Sequence, residues 1–250
     1  MVRIAIDIGN SFAKLAVFSS SRDLLKFKRI RSESLEEELA QLLTAYRAQT
    51  VQIGFISVGE AVKIHQFSSV QQGKQVTCFP ISVTDDLPIQ IAYATPATLG
   101  IDRVAGIIAA RDISPGAPVL VIDIGTAITY DFADADGHYR GGGISPGPEL
   151  RFRALNQFTA RLPLVDAVEY PPLVGGTTEE SIQSGVLNGT SEEIDGVINR
   201  YKEYAGPDLQ VFATGGGFSL FENRLKNINF ATPHLVLEGI FLIVQHYSTS

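Results

Sequence analysis

The sequence predicts an α/β protein of two duplicated halves, each a mixed sheet with helices, and three observations predict it. The tetrapeptide Ile-Asp-Ile-Gly occurs twice, at Ile6–Gly9 and at Ile122–Gly125. Each copy closes an apolar run of β-type residues. Each is followed by a second apolar run, a polar turn, a third run, and then segments of helical periodicity. The implied domains are 1–115 and 116–250, with a ligand cleft between them.

The first half begins with Ile-rich residues 2–8, then AKLAVF (13–18) and LLKFKRI (24–30). Gly9-Asn10-Ser11 and Ser20–Asp23 are turn residues, so the three runs form an antiparallel meander. Ser34-x-x-Glu37 matches a capping box. Leu35, Leu39, Leu42, Leu43 and Tyr46 follow at helical spacing, giving an amphipathic helix to about residue 48. VQIGFISV (51–58) reads as a buried strand, 75–84 holds another short strand, 85–97 is irregular, and a helix covers 98–112. The stretch 60–76 carries no assignable motif.

The second half restarts with strands at 118–124, 127–133 and 138–144, with a tight turn at Asp134–Gly137. Helices are predicted at 147–160, 178–203 and 217–226, with LQVFAT (209–214) as an intervening strand and a closing helix over the last residues. Gly141-Gly142-Gly143 adds neither charge nor nucleophile and reads as backbone shaping.

Composition narrows the function. At 250 residues with 45% apolar and 19% charged residues, the chain is an ordinary globular protein. A net charge of −7 argues against nucleic acid or an anionic membrane as partner, since both require a basic face. The single cysteine, Cys78, allows neither an intramolecular disulfide nor a cysteine metal site, and reads as a core residue. No signal peptide pattern and no run of about 20 apolar residues occur, which predicts a cytoplasmic protein. His65, His138, His234 and His246 are scattered and read as structural or surface residues.

An Asp ending a buried strand, two residues before a Gly, has a chemical use. The strand fixes the carboxylate, and the Gly lets the backbone turn tightly against a ligand. Amides and hydroxyls beyond it can bind phosphate oxygens, and the acid can hold Mg²⁺ directly or through water. The competing reading is a turn Asp bonded to its own backbone. Neither a P-loop nor a dinucleotide-binding glycine fingerprint is present, so any phosphate site here is of another kind.

Taken together, these motifs are specific. DIGNSFAK, Gly100-Ile101-Asp102-Arg103, DIGTAITYDFADADGHYRGGGISPG, Gly175-x-x-Thr178 with Ser184-Gly185, and ATGGG (213–217) come in one order and span most of the chain. The chain resembles the type III pantothenate kinases. These belong to the acetate kinase, sugar kinase, Hsc70 and actin superfamily, whose halves are ribonuclease H-like (actin-like ATPase) domains.

The resemblance implies ATP-dependent phosphorylation of pantothenate to 4′-phosphopantothenate, the first step toward coenzyme A, by a homodimer. It implies an ATP phosphate loop of Asp7, Ile8, Gly9, Asn10, Ser11, Phe12, Ala13 and Lys14, with Mg²⁺ near Asp7, and an ATP contact at Thr126. It gives Asp123 to a monovalent cation, K⁺ or NH₄⁺; the residues alone do not separate that from a second magnesium-side acid. It makes Asp102 the general base and gives Tyr93, Gly100, Ile101, Arg103 and Thr178 to the substrate. The residues by themselves leave plainer roles open: an exposed strand lysine for Lys14, packing for Tyr93, a helix-capping acid for Asp102 and an N-cap for Thr178. Phe12 is bulky for a phosphate loop and reads as core-facing. A non-enzymatic transcriptional accessory regulator on the same fold, or another small-molecule kinase of the superfamily, are the alternative functions.

Overall fold

The structure is a computed structural model; it describes residues 1–9, 11–57, 69–71 and 74–249. The chain forms two compact units, Met1–Ala109 with Leu235–Ser250, and Ala110–His234.

In the first unit, β1 (Val2–Ile8), β2 (Phe12–Ser19) and β3 (Leu24–Arg31) form the expected antiparallel meander. A 3-10 turn at Ser32–Ser34 leads into α1 (Leu35–Ala45). The capping box does not form. Ser34 sits at φ −92°, ψ 3° and makes no side-chain cap bond, because the 3-10 turn takes the place of the extended cap residue. Leu35, Leu39, Leu42 and Leu43 of α1 are buried against the Ile and Val side chains of β1 and β2. Each such burial contributes roughly 1.5–3 kcal/mol, which places α1 firmly without the cap.

The strands β4 (Val51–Ser57), β5 (Ser69–Gln71) and β6 (Lys74–Pro80) complete a sheet of order β3-β2-β1-β4-β6-β5, in which β1, β4 and β6 run parallel. Cys78, on β6, is half-buried and packs against this core. A short strand, β7 (Gln90–Ile91), lies within the stretch expected to be irregular. The expected helix from 98 starts later. Pro96–Thr98 is a 3-10 turn, Leu99 is extended (φ −78°, ψ 128°), and α2 runs Ile101–Ile113.

The second unit repeats the plan. β8 (Val119–Ile124), β9 (Ala127–Ala133) and β10 (His138–Pro146) are antiparallel, with a bulge between Tyr139 and Gly141. This is the backbone shaping assigned to the glycine run. α3 (Pro148–Gln157) starts on a proline, whose fixed φ suits the first helical turn. α4 (Thr178–Gln183), a π turn (Ser184–Asn188) and α5 (Gly189–Ala205) make up the long helical stretch read as one helix. β11 (Gln210–Thr214) and β12 (Phe230–Ala231) add parallel strands beside β8, so these five strands run β12-β11-β8-β9-β10.

Two expectations fail here. The helix at 217–226 is only a 3-10 turn, Phe218–Leu220, followed by further turns. Phe221 is fully buried, and Phe218, Leu220 and Leu225 pack half-buried against the same core, so the segment is anchored without forming a helix. The closing helix, α6 (Leu235–Thr249), belongs to the first unit, whereas a division at 115/116 would place it in the second. It lies on β1, β2 and β4 of the first unit, where Phe18 meets Phe241 at 5.2 Å and Arg22 pairs with Glu238 at 2.8 Å.

Among the described residues, no helix is long and apolar enough to cross a membrane.

Candidate functional site

In the first unit, β1 delivers Asp7 to the end of the sheet. Gly9 N donates to Phe12 O at 3.0 Å, closing the turn, and Ser32 Oγ donates to Gly9 O at 2.8 Å from beyond β3. Asn10 lies outside the described residues. Ile8 and Ala13 are buried and hold the turn to the core; Ser11 is exposed.

Lys14 is paired with Asp7 in the β1–β2 register, and its Nζ lies 3.6 Å from Asp7 Oδ2. Both open readings of Lys14 shift in consequence: it is half-buried and held beside the acid. Burial raises the Asp7 pKa above the ordinary 3.8; the Lys14 charge opposes this, and the Asp102 carboxylate adds to it. Asp7, Lys14 and Asp102 therefore form one electrostatic group.

Phe12 does not face the core. It is 44% exposed, and the Arg29 guanidinium stacks over its ring at 4.1 Å.

Asp102 stands in the first turn of α2, where the helix dipole favours a carboxylate. Its Oδ1 occupies space that a Cβ on residue 100 would claim, at 2.4 Å. Gly100 thus lets the carboxylate fold back over the chain. Ile101 is buried, Arg103 follows half-buried on the same turn, and Tyr93 is half-buried in the preceding coil.

In the second unit, β8 delivers Asp123 in the same way, but its surroundings differ. Gly215, at φ +98°, lies so close that a Cβ there would be 2.3 Å from Asp123 Oδ1 and 2.4 Å from Ile124 O. Gly217 N donates to Ile124 O at 2.8 Å, Gly125 N to Ala127 O at 2.9 Å, and Gly147 N to Thr126 O at 2.9 Å. Two glycine segments, at Gly147 and at Gly215–Gly217, thus converge on the turn at 123–126, and Thr126 is exposed at their edge. Arg151 braces the Gly147 turn, donating to Pro146 O at 2.7 Å and Ser145 Oγ at 2.9 Å, and pairing with Glu193 at 2.5 Å.

Thr178 is exposed, and the N-cap of α4 is its neighbour. Thr177 Oγ1 accepts from Glu180 N at 3.1 Å, while Glu180 Oε2 accepts from Gly176 N at 2.7 Å. The cap reading of Thr178 is corrected by one residue. Thr178 instead lines a cavity of about 610 Å³ with Gly175, Gly176, Ser181 and Gly185. The π turn that begins at Ser184 places Gly185 on this wall, and such turns are common at functional sites.

Sequence reasoning missed the Thr177–Glu180 cap, although Thr-x-x-Glu was there to be read. It also missed the wrapping of Gly147 and Gly215 around the second turn, for which the only signal is glycine itself. His138 departs from a purely scattered role. It stands with Asp134 and Asp136, their ligand atoms within 4.8 Å of one another. Asp134 is already engaged by Arg140 Nε at 2.6 Å and by His138 N at 2.9 Å, which closes the β9–β10 hairpin. His65 lies outside the described residues.

The turns suit the cations implied for them. At Asp7, a carboxylate short of solvation and beside a second carboxylate suits a hard divalent ion that keeps its waters. At Asp123, a carboxylate at a strand end with glycine backbone packed closely beside it leaves an oxygen donor that suits a cation.

A family model described as type III pantothenate kinase matches residues 3–200. The chain belongs to this family. Type III pantothenate kinases from Phocaeicola vulgatus and Cytophaga hutchinsonii are 40% and 39% identical to it; the first alignment covers 98% of each chain, the second 98% of this chain and 99% of the relative. The fold extends beyond the family. A Campylobacter jejuni protein assigned to the Baf family of transcriptional activators superposes with a TM-score of 0.59 at 20% identity, covering 100% of both chains. A Listeria monocytogenes protein assigned as an N-acetylmannosamine kinase does so with a TM-score of 0.53 at 14% identity, covering 99% of this chain and 100% of that one. These likenesses show that the fold is shared with those two proteins.

Proposed function

We propose that the protein transfers the γ-phosphoryl group of ATP to the primary hydroxyl of pantothenate, yielding 4′-phosphopantothenate and ADP. Family membership supports the reaction. The observation that carries the residue roles is the grouping of Asp7, Lys14 and Asp102 in one unit, with the Asp102 carboxylate felt at Asp7.

In this reading Asp102 accepts the proton of the attacking hydroxyl as the new O–P bond forms, and the bond from the γ-phosphorus to the ADP oxygen breaks. An Asp that orients and deprotonates an alcohol is sufficient chemistry, because phosphoryl transfer depends mainly on positioning and charge stabilisation. Arg103, Tyr93, Gly100, Ile101 and Thr178 bind pantothenate, and a guanidinium suits its carboxylate. The turn from Asp7 to Lys14 and Thr126 bind ATP. Asp7 would hold Mg²⁺, and Asp123 would hold K⁺ or NH₄⁺; these ions supply charge neutralisation for the phosphates. A homodimer and a cytoplasmic location belong to the same reading. Exposed apolar side chains in the second unit, among them Phe158, Leu164, Leu173 and Val174, support a subunit interface.

The test is product analysis. Incubated with Mg-ATP, pantothenate and KCl, the purified protein is expected to give pantothenate carrying one phosphate on its primary hydroxyl. Unmodified pantothenate after complete ATP turnover would overturn the reading.

A further inference from the structure

We propose that Arg29 is a second phosphate-binding cation of the Asp7 turn, held beside Lys14 to receive the polyphosphate of a nucleoside triphosphate. The proposal rests on the nucleotide reading of that turn and adds a residue that none of the motifs contains.

The placement follows from strand register. Asp7 pairs with Lys14 across β1–β2, and Lys14 pairs with Arg29 across β2–β3. Partners directly opposite in a sheet project on the same side, so the three side chains form one row across the end of the sheet. The neighbouring positions confirm the side. Ala13 and Leu15 of β2 face the α1 core, and Ile30, opposite Ala13, packs against it. Arg29 therefore faces away from α1, on the side of Asp7 and Lys14.

Its orientation is also fixed. The guanidinium lies 4.1 Å from the centre of the Phe12 ring, and Phe12 closes the turn by accepting from Gly9 N. An arginine stacked on an aromatic ring keeps its in-plane N–H groups available. Among the described residues, Arg29 has no carboxylate partner, whereas Lys28 pairs with Glu38 at 2.6 Å and Arg31 lies 4.0 Å from Glu33.

This arrangement is unfavourable without a ligand. Like charges directly opposite in an antiparallel pair destabilise it, and Lys14 is only partly compensated by Asp7 at 3.6 Å. A polyphosphate reverses the sign. It carries more negative charge than one lysine and one divalent ion neutralise, and a planar guanidinium can donate to two of its oxygens at once. The exposed aromatic of the turn, awkward as a core residue, becomes the platform that aims the second cation.

The plain alternative is that Arg29 merely guards an exposed edge strand, as lysines often do. Lys26 supplies the control, since it lies on the same strand, exposed, and pairs with Val17 on the opposite side of the sheet.

The experiment measures nucleotide binding by calorimetry alongside steady-state kinetics for Arg29→Gln, Arg29→Lys, Phe12→Leu and Lys26→Gln. Arg29→Gln is expected to weaken ATP about tenfold in Kd and KM, about 1.4 kcal/mol, with kcat falling less than threefold and adenosine binding unchanged. Arg29→Lys is expected to recover part of the loss, Phe12→Leu to weaken ATP about threefold, and Lys26→Gln to match the wild type. The stabilisation of the fold by saturating ATP is expected to shrink in Arg29→Gln in step with Kd. Unchanged ATP binding in Arg29→Gln, equal losses in Lys26→Gln, or no ATP binding by the wild type would overturn the proposal. If pantothenate is not turned over but Arg29→Gln still weakens ATP selectively, the proposal stands and the substrate reading falls. If turnover is normal and KM for ATP does not move, the reverse holds.

Discussion

The two Ile-Asp-Ile-Gly turns share strand, acid and glycine, yet later segments furnish them differently. Around Asp7 the neighbours are side chains with charge: Lys14 at 3.6 Å, Asp102 acting through its field, and Arg29 beyond. Around Asp123 two later segments, one at Gly215–Gly217 and one at Gly147, bring main chain against the turn. One duplicated scaffold thus supports a turn that handles strong charge and a turn that depends on close backbone approach. The difference teaches that an acid-glycine turn is only a mount, and that its chemistry is set by what later segments bring to it.

The contrast can be broken at both ends. The largest effect is expected at Asp102, where Asp102→Asn removes the proposed base and lowers kcat by about 10²–10⁴-fold with the circular dichroism spectrum retained. At the first turn, Asp7→Asn is expected to cost about 10²-fold in activity while raising thermal stability near neutral pH. The sign follows from the raised pKa. Below 3.8 the carboxyl is protonated in both folded and unfolded chains and the variant gains nothing. As pH rises through the folded value, the ionised and poorly solvated group costs stability that asparagine does not, so the gap in Tm between the variant and the wild type opens with pH. A gap that narrows from pH 4 to pH 8 would contradict the burial of Asp7.

At the second turn the sensitivity lies in the backbone. Gly215→Ala is expected to cost about 2 kcal/mol or more in denaturant unfolding, from a left-handed φ and a Cβ driven into Asp123. Asp123→Asn is expected to spare the fold and bring the K⁺ to Na⁺ activity ratio close to one. The smallest effect belongs to Thr177→Ala, about 1 kcal/mol for a lost N-cap, whereas Thr178→Ala leaves stability unchanged and raises KM for pantothenate.

Much of this was legible in the sequence, for physical reasons that differ by region. The meanders β1–β3 and β8–β10 could be read because apolar runs separated by Gly, Asn, Ser and Asp leave few alternatives. The placement of Asp7, Asp102 and Asp123 could be read because each sits in a short motif at a strand end or helix start; their proposed roles rest on the family resemblance. What stayed hidden was set by distant partners. The α6 sequence is apolar enough to suit either sheet, and only packing against Phe18 and β4 decides between them. The glycines at 215–217 resemble any loop until Ile124 and Asp123 fill the space where side chains would go. Phe12 looked misplaced because Arg29, its partner, lies on another strand.

Pantothenate-dependent ADP release in KCl tests the account most directly. With purified protein and Mg-ATP, ADP release is expected to rise saturably with pantothenate and to fall to background without it. ADP release at the same rate with and without pantothenate, or none in its presence, would contradict it.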